Sequence, residues 1–158
     1  MFRGLMTASL LATAAVPAAA QSSHDWRSYV NARFGYTVCY PADLLHPQRE
    51  ADNGDGREFT GAHGAVLRVW SSYNALEATV PQARAEDVKR FTGQGYRITY
   101  QVAKPGWYVL SGAGRAGTFY KRRMLNKDRD LTFELLYPSS DAAIWNPVAA
   151  KLNACLKG

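Results

Sequence analysis

Cysteine is nearly absent from this chain: 158 residues hold two, Cys39 and Cys155. Histidine is scarce too, and His24, His46 and His63 lie apart with no ligand spacing such as H-x-x-x-H. No metal site and no cofactor are therefore expected. There is no G-x-S-x-G elbow and no S-x-x-K pair, so a Ser/His/Asp triad would have to be assembled from loops distant in sequence. After the first twenty residues no segment is apolar enough to span a bilayer. Internal repeats are lacking, and so are low-complexity tracts beyond the N-terminus.

The first twenty residues read as a signal peptide. Arg3 is a short positive region, Leu5 to Val16 an apolar one, and Ala18-Ala19-Ala20 a small-residue cleavage site. No Cys sits at the cut, which argues against a lipid anchor. The expectation is a single domain over 21–158, periplasmic or secreted after cleavage near Ala20, with no integral membrane segment left. Losing Arg3 leaves 18 Lys+Arg against 13 Asp+Glu, a net charge of +5. That balance permits an acidic partner or an anionic surface without requiring one. In an exported protein the two cysteines predict one disulfide, Cys39–Cys155, tying the first strand to the last helix.

Taken in order, Trp26 and Tyr29 predict a short packed helix or turn. A strand follows over Tyr36–Tyr40, and residues 41–56 read as loop with turn dipeptides at Asn53-Gly54 and Asp55-Gly56. Strands are expected near Arg57–Thr60 and over Ala65–Ser71. Thr79-Val-Pro-Gln82 is a capping box with proline in the first turn. It opens a helix to Phe91 with Ala85, Val88 and Phe91 on one face and a Glu86/Arg90 pair. Asn146-Pro147 predicts the start of a terminal helix with Val148, Leu152, Cys155 and Leu156 inward.

Residues 96–138 predict four consecutive antiparallel strands. Turns at Ala103–Gly106, Ser111–Thr118 and Asn126–Arg129 oppose Val102/Trp107, Val109/Tyr120, Trp107/Arg122, Met124/Leu131 and Tyr120/Leu135. One face then collects Ile98, Tyr100, Val102, Trp107, Val109, Tyr120, Met124, Leu131, Phe133, Leu135 and Tyr137. The other face is mixed, with Lys121 opposite Glu134, and is expected to be partly covered. Arg122 is the anomaly, a cation on the apolar face beside Trp107. It either stacks on the indole and reaches for solvent or lines a pocket for an anionic group.

Two motifs are set aside. Gly112-Ala-Gly-Arg-Ala-Gly117 matches G-x-G-x-x-G, yet a strand composition follows where dinucleotide binding needs a helix. The glycines are read as allowing positive φ in a hairpin. Ala51-Asp-Asn-Gly-Asp-Gly56 hints at a calcium loop, but Ala51 and Ala62 fall on the first and twelfth ligand positions. The cations Arg115, Lys121, Arg122, Arg123, Lys127 and Arg129 read as a solvated sheet end. Nucleic acid is not expected as a partner.

Asn31-x-Arg-Phe-Gly-Tyr36-x-Val-x-Tyr-Pro41, Asn53-Gly-Asp-Gly-Arg57-x-Phe59 and the late Leu136-Tyr-Pro138 before a terminal helix together resemble small exported bacterial proteins with a PsbP-like fold, related in shape to the extrinsic photosystem II subunit. The resemblance implies an α+β fold: a central antiparallel β-sheet flanked by helices, an α/β/α sandwich. It implies a binding or assembly-accessory protein rather than an enzyme, acting on another exported protein or an envelope component. The second expectation is a small anionic-ligand carrier using Arg122, Trp107 and Tyr120 on the sheet face. A hydrolase is the third.

Overall fold

The structure, a computed structural model, describes residues 23–158. The predicted signal peptide lies outside the described residues. Strands β1 (Trp26–Val30) and β2 (Thr37–Pro41) form a two-stranded ribbon. Strands β3 (Leu45–Glu50), β4 (Gly56–Gly61), β5 (Val66–Tyr73), β6 (Tyr96–Lys104), β7 (Trp107–Gly114), β8 (Gly117–Leu125) and β9 (Arg129–Tyr137) form an antiparallel sheet in the order β3-β4-β5-β9-β8-β7-β6. Helix α1 (Val80–Gly93) connects its two halves, and α2 (Ala142–Cys155) follows the last strand. This is the α+β architecture expected, with the ribbon sharing the α2 layer.

Two apolar clusters lie on opposite faces. Below α2 and the ribbon, Tyr36, Val38, Phe59, Leu67, Val69, Phe133, Leu135, Val148 and Leu152 are fully buried or nearly so. Below α1, Phe91 stacks on Phe119 at 3.6 Å between centroids, with Tyr96, Tyr108 and Leu110 around them. The Cys39–Cys155 disulfide joins β2 to α2, and a bridge between Thr37 and Lys157 extends the same seam.

The sheet's turns correct the expected registers. The β8/β9 pairs Met124/Leu131 and Tyr120/Leu135 stand as predicted. At the other two turns the loop closes one residue later. Lys104 pairs with Trp107 across Pro105-Gly106, with Gly106 at φ 81, as in a type II turn. Gly114 pairs with Gly117 across Arg115-Ala116. Val102 therefore opposes Val109, Val109 opposes Arg122, Ser111 opposes Tyr120 and Trp107 opposes Met124. A slip of two residues preserves which face each side chain takes, so the predicted faces survive the wrong pairs. The residues before a bulge between Ile98 and Tyr100 are the exception: it turns Ile98 to the α1 cluster and, by alternation, Arg97 to the other face.

Other elements differ from expectation for identifiable reasons. Trp26 and Tyr29 sit in a strand; their three-residue spacing imitated a helix. Residues 45–50 form an edge strand that buries only Leu45, so its sequence reads as loop. Helix α1 buries Ala83, Asp87 and Phe91, while Ala85 is exposed, because Asp87 meets a cation below it. Helix α2 runs unbroken through Pro147, and Asn146 accepts a hydrogen bond from the Tyr137 hydroxyl at 2.9 Å instead of capping. In the glycine motif only Gly117 has positive φ. A Cβ on Gly112 would stand 2.4 Å from the Arg97 carbonyl oxygen, so this glycine serves close strand approach.

Candidate functional site

The two helices cover diagonally opposite halves of the sheet. Helix α1 packs on β6 to β8 on one face; the ribbon and α2 pack on β4, β5 and β9 on the other. Each face thus has one open half. On the α1 side the open half carries polar and charged groups, including the surface pair Arg68–Glu58 at 2.8 Å. On the α2 side it carries Tyr100, Val102, Trp107, Tyr120 and Arg122. Cross-strand rows run from open to buried: Tyr100, Ser111, Tyr120, Leu135 and Leu67 form one, and Val102, Val109, Arg122, Phe133 and Val69 the next. Tyr100 is 54% exposed, whereas Leu67 and Leu135 are wholly buried.

A shallow pocket of about 250 Å³ opens where this half-face meets α2, lined by Tyr100, Ser111, Tyr120 and Tyr137 and, from α2, by Asn146, Ala149 and Ala150. Tyr120 stacks on Phe133 at 5.9 Å, and burial pushes its phenol pKa up. Its hydroxyl makes no hydrogen bond to the described residues. Arg122 lies diagonal to Trp107, with its guanidinium carbon 5.0 Å from the indole centroid. Its Nη1 donates to the backbone oxygen and the Oδ1 of Asn153 on α2, at 2.5 and 3.1 Å. Among the described residues no carboxylate comes within ion-pair distance of Arg122, and burial lowers its pKa. Of the three residues singled out in the sequence, Arg122 and Trp107 meet each other, while Tyr120 lines the pocket beside them. Tyr100, missed as a site residue, is the most exposed aromatic of this half-face; its place on an edge strand is the signal that marks it.

The basic run is a solvated sheet end only at Arg115 and Lys127, which are exposed; its other four cations are buried or half-buried. Lys121 is buried below α1, with Nζ 2.7 Å from Asp87 and 3.9 Å from Glu134. Tyr108 donates to the same Asp87 oxygen at 2.5 Å, and Arg90 bridges Asp87 and Glu134 at 3.3 and 2.7 Å. Arg123 pairs with Asp130 at 2.6 Å, and Arg129 donates to the Phe34 carbonyl. Burial pushes the Asp87 carboxyl up, but Lys121, Tyr108 and Arg90 outweigh it and hold it below the usual carboxylate range. The predicted Glu86/Arg90 pair gives way to this network. The cluster balances two acids with two cations between packed layers, an arrangement that orients α1 on the sheet.

Two histidines meet carboxylates at the surface: His24 with Asp43 at 2.7 Å and His63 with Asp141 at 3.0 Å. Ser140 donates to Asp141, not to His63. The order is therefore serine–aspartate–histidine, which gives the hydroxyl no imidazole base. The described residues hold no cluster of three or more His, Cys, Asp or Glu able to bind a metal, and no helix among them is long and apolar enough to cross a membrane.

No protein-family model matches the chain, and no curated protein does. Among solved structures, the chain is similar to the solution structure of cyanobacterial PsbP (CyanoP) from Synechocystis sp. PCC 6803, with a TM-score of 0.63 and 13% identity. The match covers 89% of this chain and 96% of that one. The fold is PsbP-like, and the likeness at this identity is one of fold.

Proposed function

We propose that the chain is an exported, soluble binding or assembly-accessory protein without catalysis of its own, whose contact surface is the open half-face between α2 and β6. The partner is another exported protein or an envelope component. The observation that carries this reading is the makeup of the half-face: exposed Tyr100, half-buried Val102, Trp107 and Tyr120, and a cation with no acid beside it among the described residues. Aromatic residues and arginine are the groups that dominate protein interfaces. Co-purification from the periplasmic fraction tests it, comparing wild type with Tyr100→Asp and Arg122→Ala. Loss of a stoichiometric partner in both variants, with unchanged melting temperature, is the expected result. Hydrolysis of an ester, peptide or glycan that a point substitution abolishes would replace this reading with an enzyme.

A second reading has its own support. Among the described residues Arg122 is a half-buried cation without a counter-ion, beside a pocket with a Tyr120 hydroxyl that none of them bonds, which suits a small carboxylate or phosphate. A carrier gains stability by linkage, about 2.7 kcal/mol at a hundredfold excess over Kd. A thermal-shift screen of carboxylates and phosphates reads that gain, and Arg122→Ala removes it.

A further inference from the structure

The sheet's two edges are built differently. Strand β3 is blunted by Pro47 and by a register shift between Pro47 and Glu50, devices that stop an edge from pairing with another chain. Strand β6 contains no proline. It has one bulge, between Ile98 and Tyr100, and beyond it Tyr100–Lys104 runs in regular register with β7. Among the described residues no strand pairs with its outer side. Lys104 and Trp107 close a two-residue turn and so form a hydrogen-bonded pair. Because such pairs alternate along an antiparallel ladder, Val102 and Tyr100 also turn their main chain toward β7. Gln101 and Ala103 therefore turn their N–H and C=O groups outward. Tyr100, Gln101, Ala103 and Lys104 are exposed.

The charge beside this edge has one sign. Between Asp87 and Asp128 the chain carries nine Lys and Arg and no Asp or Glu. Of these cations, Lys121, Arg123 and Arg90 are neutralised by Asp87, Glu134 and Asp130. Arg97 and Lys104 on β6, and Arg122 two strands in, have no ion-pair partner among the described residues. A second copy docking edge to edge would set two cationic surfaces against each other. An acidic strand would not.

We infer that β6 accepts an extended, acidic segment of a partner protein as an eighth strand, with the segment's main chain paired to Gln101 and Ala103 and its inward side chains resting on Tyr100 and Val102. This rests on the half-face being a binding surface and specifies how it is used. The test uses two capped peptides, one alternating valine with glutamate and one alternating valine with lysine. Binding to the purified protein is followed by amide hydrogen exchange and by Trp107 fluorescence. The glutamate peptide is expected to bind and to slow exchange at the Gln101 and Ala103 amides, and the lysine peptide to do neither. Gln101→Pro removes an outward donor without breaking the β6–β7 ladder and is expected to weaken binding about tenfold. The double change Arg97→Glu with Lys104→Glu is expected to reverse the preference, and it decides alone if the proline variant unfolds. Equal binding of both peptides, or binding of neither, overturns the inference. A Trp107 response without protection of Gln101 and Ala103 overturns strand addition while leaving the half-face reading in place. Self-association that Gln101→Pro abolishes makes the occupant a second copy and overturns the acidic partner.

Discussion

Replacing Asp87 with alanine leaves the Lys121 ammonium, 3% exposed, facing one remaining carboxylate at 3.9 Å. The same change strips the Tyr108 hydroxyl of its acceptor and Arg90 of one of its two acids. Removing one partner of a buried ion pair costs about 3–5 kcal/mol, because the other charge stays desolvated. At roughly 3–4 °C per kcal/mol for a domain of this size, the melting temperature should fall by about 10–20 °C. The companion is Asp87→Leu with Lys121→Met. It removes one charge of each sign and leaves Arg90 paired with Glu134 at 2.7 Å, so the cluster stays balanced. The double variant should recover most of the loss, within about 1–2 kcal/mol of wild type once the stranded Tyr108 hydroxyl is counted. Urea denaturation of wild type, the Asp87→Leu and Lys121→Met singles and the double closes the cycle. A coupling energy of about 2 kcal/mol or more is expected. If the single changes each cost under about 1 kcal/mol and simply add, the charges are effectively solvated and the argument fails.

The Asp87 pKa is lowered on folding. Its contribution is therefore complete above the unfolded carboxylate value of about 3.9 and is lost as pH falls through the lower folded value. Melting curves from about pH 5 down to pH 2 should be steeper for wild type than for Asp87→Asn, and parallel curves would count against it. Cys39 and Cys155 are 116 residues apart; opening their bridge should cost at most about 4–5 kcal/mol by the chain-entropy model, read as the melting-temperature difference with and without reductant. Gly112→Ala places a methyl 2.4 Å from the Arg97 carbonyl oxygen and 2.7 Å from the Phe119 ring. It should destabilise by about 1–3 kcal/mol, measured by urea denaturation, and a neutral result would show that β6 and β7 separate there easily.

The sheet's faces were legible in the sequence because side-chain alternation tolerates an even slip in pairing. Moving the turn centres by one residue changed both partners of Trp107 and the β7 partner of Arg122 and left both on the same face. The buried charges were not legible. A search for apolar periodicity on α1 passes over Asp87, although Ala83, Asp87 and Phe91 carry the buried stripe. Lys121 opposite Glu134 was readable as a pair, but its depth depends on where α1 lands. The candidate site was half legible. Arg122 on Trp107 could be inferred from the face pattern, whereas the open half-face exists because the two helices sit diagonally, a tertiary choice no local signal records. Edge strands read poorly for the same reason: β3 buries one residue and so carries little period.

The pairing of β5 with β9 has a consequence for the order in which the chain can fold. Remove β9 and the sheet falls into two three-stranded pieces, β3-β4-β5 and β6-β7-β8, joined only through α1. The larger apolar cluster needs Leu131, Phe133 and Leu135 from β9 and Trp145, Val148 and Leu152 from α2, and Cys39 must wait for Cys155. A chain emerging from its N-terminus cannot complete this core until nearly all of it has appeared, since the contacts that would repay loop closure come last. During synthesis the larger apolar cluster and the disulfide therefore close only once the final helix arrives.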